Sequence, residues 1–270
     1  MRYATLADPG GPVVVAVIGD RVYRLDPRLT MRDVAASEGR LPPGEPGPGW
    51  PLATSSLGPA VPDPGAIYTV GRNYRSSAEV AGERPTRPLI YAKATSSVGA
   101  PDATLGWDRA VTDNVDAECE LGIVISRPAH NVPPSVALEH VFGYTIVNDI
   151  SSRDARLDGD QWLLGKSLPG FCPVGPWIVS ADELDPADLR LGCRINGEPI
   201  QDGRTSDMRF SIAEVISFLS GHLALRPGDL IATGTPVRLE SPPGPHRRLQ
   251  PGDTVTAWIE GIGELTTSIA

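Results

Sequence analysis

Two glutamates one residue apart, Glu118 and Glu120 in DAECELGIVI, are the first side chains whose type and spacing suggest chemistry. Leu121, Ile123 and Ile125 alternate with Gly122 and Val124, the period of a strand that begins near Glu118 and puts both carboxylates on one face. Residues i and i+2 of a strand lie about 6.6 Å apart along its axis. Both side chains could therefore converge on one hard cation at roughly 2.1 to 2.5 Å. An isolated E-x-E is more often a solvated acidic face, but Asp149 shifts the balance. It ends the apolar run GYTIVNDI, where a buried acid is costly unless paired or metal-bound. Downstream, Arg153 and Asp154 in SSRD and Lys166 in QWLLGKS could fix an anionic substrate or neutralise charge developing beside a metal. Ordinary surface ion pairing is the other use of such residues. In ATGTP (232–236), Gly234 permits close approach and Thr235 offers a hydroxyl, and GRNYR (71–75) is a further polar turn.

The elements that must position these groups are mostly strands. Residues 1–60 hold two short strand patterns, VVVAVIG and RVYRL, and the Pro/Gly-rich stretch LPPGEPGPGWP, which sustains neither helix nor ladder. They read as a small N-terminal β domain and linker. Residues 61–270 carry strand runs bounded by Gly, Pro or Asp: AIYTVG, PLIYAKA, ECELGIVI, GYTIVNDI, GPWIVS, LRLGCRING, GDLIATGT and DTVTAWIEG. Helical patterns are confined to PSVALEHVFG, SAEVAG and SIAEVISFLSGHL, the last with Ser211 and Glu214 placed as a capping box. The fold class expected is α+β, dominated by strands.

Composition narrows the partner. A chain of 270 residues with 40 % hydrophobic residues can bury an ordinary core. A formal charge of −9 argues against nucleic acid and anionic membrane and leaves a small molecule. Cys119, Cys172 and Cys193 are odd in number and irregularly spaced, so they are expected to be reduced thiols rather than a disulfide framework or zinc site. The opening residues lack a basic stretch followed by an apolar one, and no segment has the apolar length of a membrane span, so the expected location is the cytoplasm.

Taken in order, VGRNYRSSAEVAG, YAKATSSVGAP, DAECELGIVI, GYTIVNDISSRD, GKSLPGFCPVGPWIV, INGEPIQDGRTSDMRFSIAEVISFLS, LRPGDLIATGTP and LQPGDTVTAWIEGIGEL resemble the fumarylacetoacetate hydrolase family over roughly residues 66 to 270. The resemblance implies a mixed β-roll or sandwich of packed sheets behind a small N-terminal β domain, usually as a homodimer. It implies Mg²⁺ or Mn²⁺, with Ca²⁺ an alternative, on the carboxylates matching Glu118, Glu120 and Asp149, with Lys166, Thr235 and Gly234 nearby. Arg153 and Lys166 would clamp the substrate anion or stabilise an enolate, and Tyr74 and Lys93 would line the pocket entrance. Members cleave, decarboxylate or isomerise 2-oxo and 2,4-dioxo acids, reactions helped by a metal that chelates the oxo acid and acts as a Lewis acid.

Two departures matter. The family's lid commonly reads NYRxHxxE; here Ser77 stands at the His position and Glu79 lies near but not at the Glu position. His130, His140, His222 and His246 lie elsewhere. After ATGTP, the usual short Gly-rich turn is replaced by VRLESPPGPHRRLQPGD, a longer basic loop expected to reshape the pocket. General acid–base catalysis is typically worth roughly 10² to 10⁴-fold. Loss of the lid His therefore favours decarboxylation, isomerisation or dehydration over water-dependent cleavage. The alternatives are an acylpyruvase or fumarylacetoacetate-type hydrolase with Glu79 activating water, and a non-catalytic binding protein.

Overall fold

The computed structural model describes residues 1–40, 49–75, 86–155, 161–239 and 247–270. The Pro/Gly-rich stretch falls largely on 41–48 and SAEVAG on 77–82, outside the described residues. The first sixty residues contribute β1 (Arg2–Leu6), β2 (Val13–Ile18), β3 (Arg21–Arg24), α1 (Met31–Ala36) and β4 (Trp50–Pro51). The remainder contributes β5 (Ile67–Gly71), β6 (Leu89–Lys93), β7 (Val98–Gly99), β8 (Thr104–Leu105), β9 (Val115–Asp116), β10 (Cys119–Ile125), β11 (Val141–Asn148) and β12 (Ser151–Ser152). After these come α2 (Trp162–Lys166), β13 (Cys172–Ser180), β14 (Arg190–Ile195), β15 (Glu198–Arg204), α3 (Ile212–Ser220), β16 (Leu230–Ala232), β17 (Thr254–Ile259) and β18 (Gly263–Ile269).

The strands form a long sheet in the order β4-β3-β2-β1-β13-β11-β10-β16-β5-β6, with β7 also on β13. A second sheet runs β15-β14-β17-β18-β8, and β12 pairs with β9. This is the strand-dominated α+β architecture expected. Leu121, Ile123 and Ile125 of β10 meet Leu191, Ile195, Val255 and Ala257 of the second sheet in one core. On the other face Val124 packs with Met31 and Val34 of α1, Tyr3, Ile67 and Phe142. β10 is thus covered on both sides, and all seven of its residues are buried.

Sheet direction gathers the site. β16 runs parallel to β5 and antiparallel to β10, which is antiparallel to β11. The ends of β5, β16 and β11 and the start of β10 therefore lie at one end of the sheet, as does the start of β6, which pairs Leu89 with Gly71. Ser211 caps α3 by accepting from the Glu214 N–H, completing the expected capping box. PSVALEHVFG differs from its helical expectation: Pro134–His140 is a 3₁₀ helix, and Val141 and Phe142 belong to β11. The helices α1 and α2 had no counterpart in the sequence reading; α1 is set by a Thr30/Asp33 capping box.

Close strand approach makes a glycine obligatory at 143, where a Cβ would stand 2.3 Å from the Val179 carbonyl oxygen. Gly143→Ala is expected to destabilise the fold by about 2 kcal/mol through overpacking between β11 and β13, read as a lowered urea midpoint with unchanged slope. Wild-type stability in this variant would contradict the tight β11–β13 seam.

Candidate active site

Glu118 sits just before β10, Glu120 is its second residue, and Asp149 follows the last residue of β11. The register pairs Cys119 with Asn148. Beyond that pair the Asp149 N–H donates to the Glu118 carbonyl at 2.8 Å, and Asn148 Oδ1 accepts from the Glu118 N–H at 3.2 Å. One oxygen from each of Glu118, Glu120 and Asp149 falls within 4.8 Å of the others. Glu120 and Asp149 are buried and Glu118 is partly so.

Cations hold this cluster together. Lys93 Nζ donates to Asp149 Oδ1 at 2.7 Å and to the Ile150 carbonyl at 3.1 Å. Lys166 Nζ donates to Asp149 Oδ2 and to Ser151 Oγ, and stands 3.5 Å from Glu118 Oε2. Arg153 pairs with both Glu118 and Asp116, and Arg238 pairs with Asp116 at 2.9 Å. Burial opposes ionisation of Asp149, but Lys166 and Lys93 outweigh it and hold its carboxyl down at about 2. Burial likewise opposes Glu118, and Lys166 and Arg153 keep it below the usual range. Glu120 differs: burial and then the Asp149 charge push it well above the carboxylate range, against the pull of Lys166.

That asymmetry bears on a metal. Glu120 accepts the Gly234 N–H at 2.8 Å, and its charged form is the one the protein leaves least compensated. A hard divalent cation among three carboxylate oxygens would relieve it, and an all-oxygen, all-carboxylate set suits Mg²⁺, Mn²⁺ or Ca²⁺ rather than a softer metal. The residues fit such an ion.

A cavity of about 330 Å³ opens on the cluster. Glu118, Glu120, Asp149, Arg153, Lys166 and Thr235 all line it, so the structure brings together most of the site residues expected from sequence. The rest of its wall includes Arg72, Leu89 and the pair Tyr91 and Trp162, whose rings lie 4.6 Å apart. Thr235 Oγ1 donates to the Cys119 carbonyl at 2.8 Å and accepts from Gln201 Nε2 at 2.7 Å, so its hydroxyl proton is committed to the backbone. Gly234 has φ +96°, and a Cβ there would meet the Val70 carbonyl at 2.8 Å. It serves Glu120 through its N–H and is not among the lining residues.

Two expectations need correction. Lys93 does not line an entrance; its side chain is fully buried behind Asp149, because that carboxylate needs a second cation. Tyr74 also stands away from the cavity, 4 % exposed in the hydrophobic core, where β-bridge pairing with Met208 carries it inward. Glu79, Ser77 and His246 lie outside the described residues, and His130, His140 and His222 do not line the cavity. Asp154 braces a loop, accepting from Ser152 Oγ at 2.9 Å and the Asp113 N–H at 3.0 Å.

Sequence reasoning missed several supports. Asn73 is fully buried and accepts from the Phe210 N–H at 2.9 Å while donating to the Thr233 carbonyl at 2.8 Å. Gln201 accepts from the Cys119 N–H at 3.0 Å and ties it to Thr235 and Pro236. Asp116 carried a local signal, since it lies on the same alternation as Glu118 and Glu120.

Fold and site together define a strand-built protein whose packed sheets carry an acidic triad with a lysine and an arginine beside it. The family model described as fumarylacetoacetate (FAA) hydrolase C-terminal matches residues 66–270. Over 213 residues, 78% of this chain and 71% of the relative, the sequence is 43% identical to an uncharacterized protein of Staphylococcus aureus. A fumarylacetoacetate hydrolase from psychrophilic Exiguobacterium antarcticum is similar in structure with a TM-score of 0.89 and 31% identity, covering 100% of this chain and 99% of that one. A 5-carboxymethyl-2-hydroxymuconate delta-isomerase from Mycobacterium smegmatis has a TM-score of 0.83 and 34% identity, covering 100% and 98%. The chain belongs to the fumarylacetoacetate hydrolase family.

Because the folded pKa of Asp149 is depressed, its ionisation contributes stability that is complete above the unfolded value near ~4 and lost as pH falls through about 2. Asp149→Asn is therefore expected to flatten the acid limb of the stability curve in that window, measured by urea unfolding against pH. An unchanged acid limb would contradict the ion-pair assignment.

Proposed function

We propose that this protein is a divalent-metal-dependent enzyme acting on a 2-oxo or 2,4-dioxo acid through its enol, by isomerisation or tautomerisation. The observation that carries the reading is the convergence of Glu118, Glu120 and Asp149 at a cavity that also presents Lys166 and Arg153. The muconate isomerase among the similar structures supports this choice of reaction.

A Mg²⁺ or Mn²⁺ ion held by Glu118, Glu120 and Asp149 would supply Lewis acidity toward the keto oxygen of a bound oxo acid. Lys166 binds the negative charge that enolisation develops: burial alone would lower its pKa, but Asp149 and Glu118 raise it, so Nζ stays protonated. Arg153 orients the substrate carboxylate through a planar guanidinium suited to that geometry. Thr235 and Gly234 act indirectly, fixing the backbone at Cys119 and the Glu120 carboxylate. Tyr91 and Trp162, with rings tilted 36° to one another, offer an aromatic wall for a conjugated body. The same reading takes the protein as a cytoplasmic homodimer.

Carbon–carbon bond hydrolysis is the second reading, supported by the similarity to the Exiguobacterium antarcticum hydrolase. In it Glu79 serves as the base for water. Product analysis in H₂¹⁸O separates the two, because only hydrolysis puts solvent oxygen into a new carboxylate.

The Mg²⁺-loaded protein is expected to accelerate enol–keto interconversion of oxaloacetate or an acylpyruvate, followed by the ultraviolet absorbance of the enol. Lys166→Met should lower kcat by roughly 10²-fold or more, the scale of losing one charge-stabilising donor. Failure to accelerate any 2-oxo or 2,4-dioxo acid would sink the reading.

A further inference from the structure

Among the described residues after ATGTP, Arg238 reaches toward the site. Its Nη2 lies 2.9 Å from Asp116 Oδ2 and donates to the Ala117 carbonyl at 3.1 Å. Asp116, 5 % exposed, also engages Arg153, whose Nε donates to Oδ2 at 3.1 Å while Nη2 stands 2.9 Å from Oδ1. Arg153 Nη2 in turn pairs with Glu118. Charges therefore alternate from the loop inward, Arg238, Asp116, Arg153, Glu118, and only the last two line the cavity.

The outer end of this chain is anchored. Arg238 forms an antiparallel bridge with Gln201, and the Leu239 N–H donates to the Ile200 carbonyl at 3.0 Å. The side chain of Arg238 is 15% exposed and that of Asp116 7%, so their attraction is screened less than a surface pair. Arg238 fixes Asp116, and Asp116 in turn holds Arg153 through both of its oxygens.

We propose that Arg238 is a positioning residue: it fixes Asp116 and the Ala117 backbone, and through Asp116 it sets the pose in which Arg153 receives an anionic substrate. The proposal rests on the reading of Arg153 as the clamp for the substrate carboxylate. It gives the segment after ATGTP a place in setting affinity without contact with substrate.

The test is calorimetric titration of oxalate, a planar dianion with the spacing of a 2-oxo acid, into the Mg²⁺-loaded full-length protein. Arg238→Met should bind oxalate roughly 10-fold more weakly, the scale seen when partners behind a ligand are lost, with Mg²⁺ affinity near wild type. Arg238→Lys should recover part of the loss, and Arg153→Met/Arg238→Met should be no weaker than Arg153→Met alone. Wild-type oxalate binding by Arg238→Met while Arg153→Met is weakened overturns the positioning role and leaves the clamp intact. If Arg153→Met also binds normally, or the wild type binds Mg²⁺ but not oxalate, the clamp reading falls and the proposal with it. Should Arg238→Met not fold, Asp116→Asn cuts the same link from the other side: selective loss of oxalate supports the proposal, and unchanged binding overturns it.

Discussion

Mutual repulsion among Glu118, Glu120 and Asp149 is the constraint around which the rest of this molecule is arranged. Three carboxylates within 4.8 Å of one another, at the end of a buried sheet, cannot be left uncompensated. The protein answers with cations on the outside of the cluster: Lys93 behind Asp149, Lys166 between Asp149 and Glu118, Arg153 against Glu118. Glu120 has the neutral N–H of Gly234 as its hydrogen-bond donor and is the carboxylate whose ionised form costs most. All three carboxylates line the cavity, and together they could hold a divalent ion.

Holding such a cluster demands backbone precision, and the topology supplies it. The β10–β11 register sets Glu118 opposite Asp149, and β16 delivers the Thr233–Thr235 turn beside the start of β10. Asn73 and Gln201 then stitch that turn to its neighbours with side-chain hydrogen bonds that replace strand pairing where the sheet stops. Both are buried, where losing a partner leaves an unsatisfied polar group at a cost of about 1 to 3 kcal/mol.

Much of this was legible in the chain, and the failures have physical causes. The strand period around Glu118 and Glu120 and the acid ending GYTIVNDI were readable because they are local patterns, and the Ser211/Glu214 cap is local too. Lys93 and Tyr74 were misplaced because a motif says which residues belong near a site, not whether they face the cavity or stand behind it. Only the partner across the fold decides, Asp149 for one and Met208 for the other. Gln201 reaches Cys119, Asn73 reaches Thr233 and Arg238 reaches Asp116 across the fold, through contacts that no spacing encodes. The 3₁₀ turn at Pro134–His140 was taken for a longer helix because its apolar residues echo helical spacing, yet Val136 and Leu138 point to solvent.

The central claim is that the triad is a metal centre, and anomalous scattering from a crystal of the wild-type protein grown with Mn²⁺ tests it most directly. The account requires one strong manganese peak per chain, bounded by oxygens of Glu118, Glu120 and Asp149 at roughly 2.1 to 2.3 Å. A crystal with no anomalous peak between these three carboxylates, or with manganese bound only elsewhere, would contradict it.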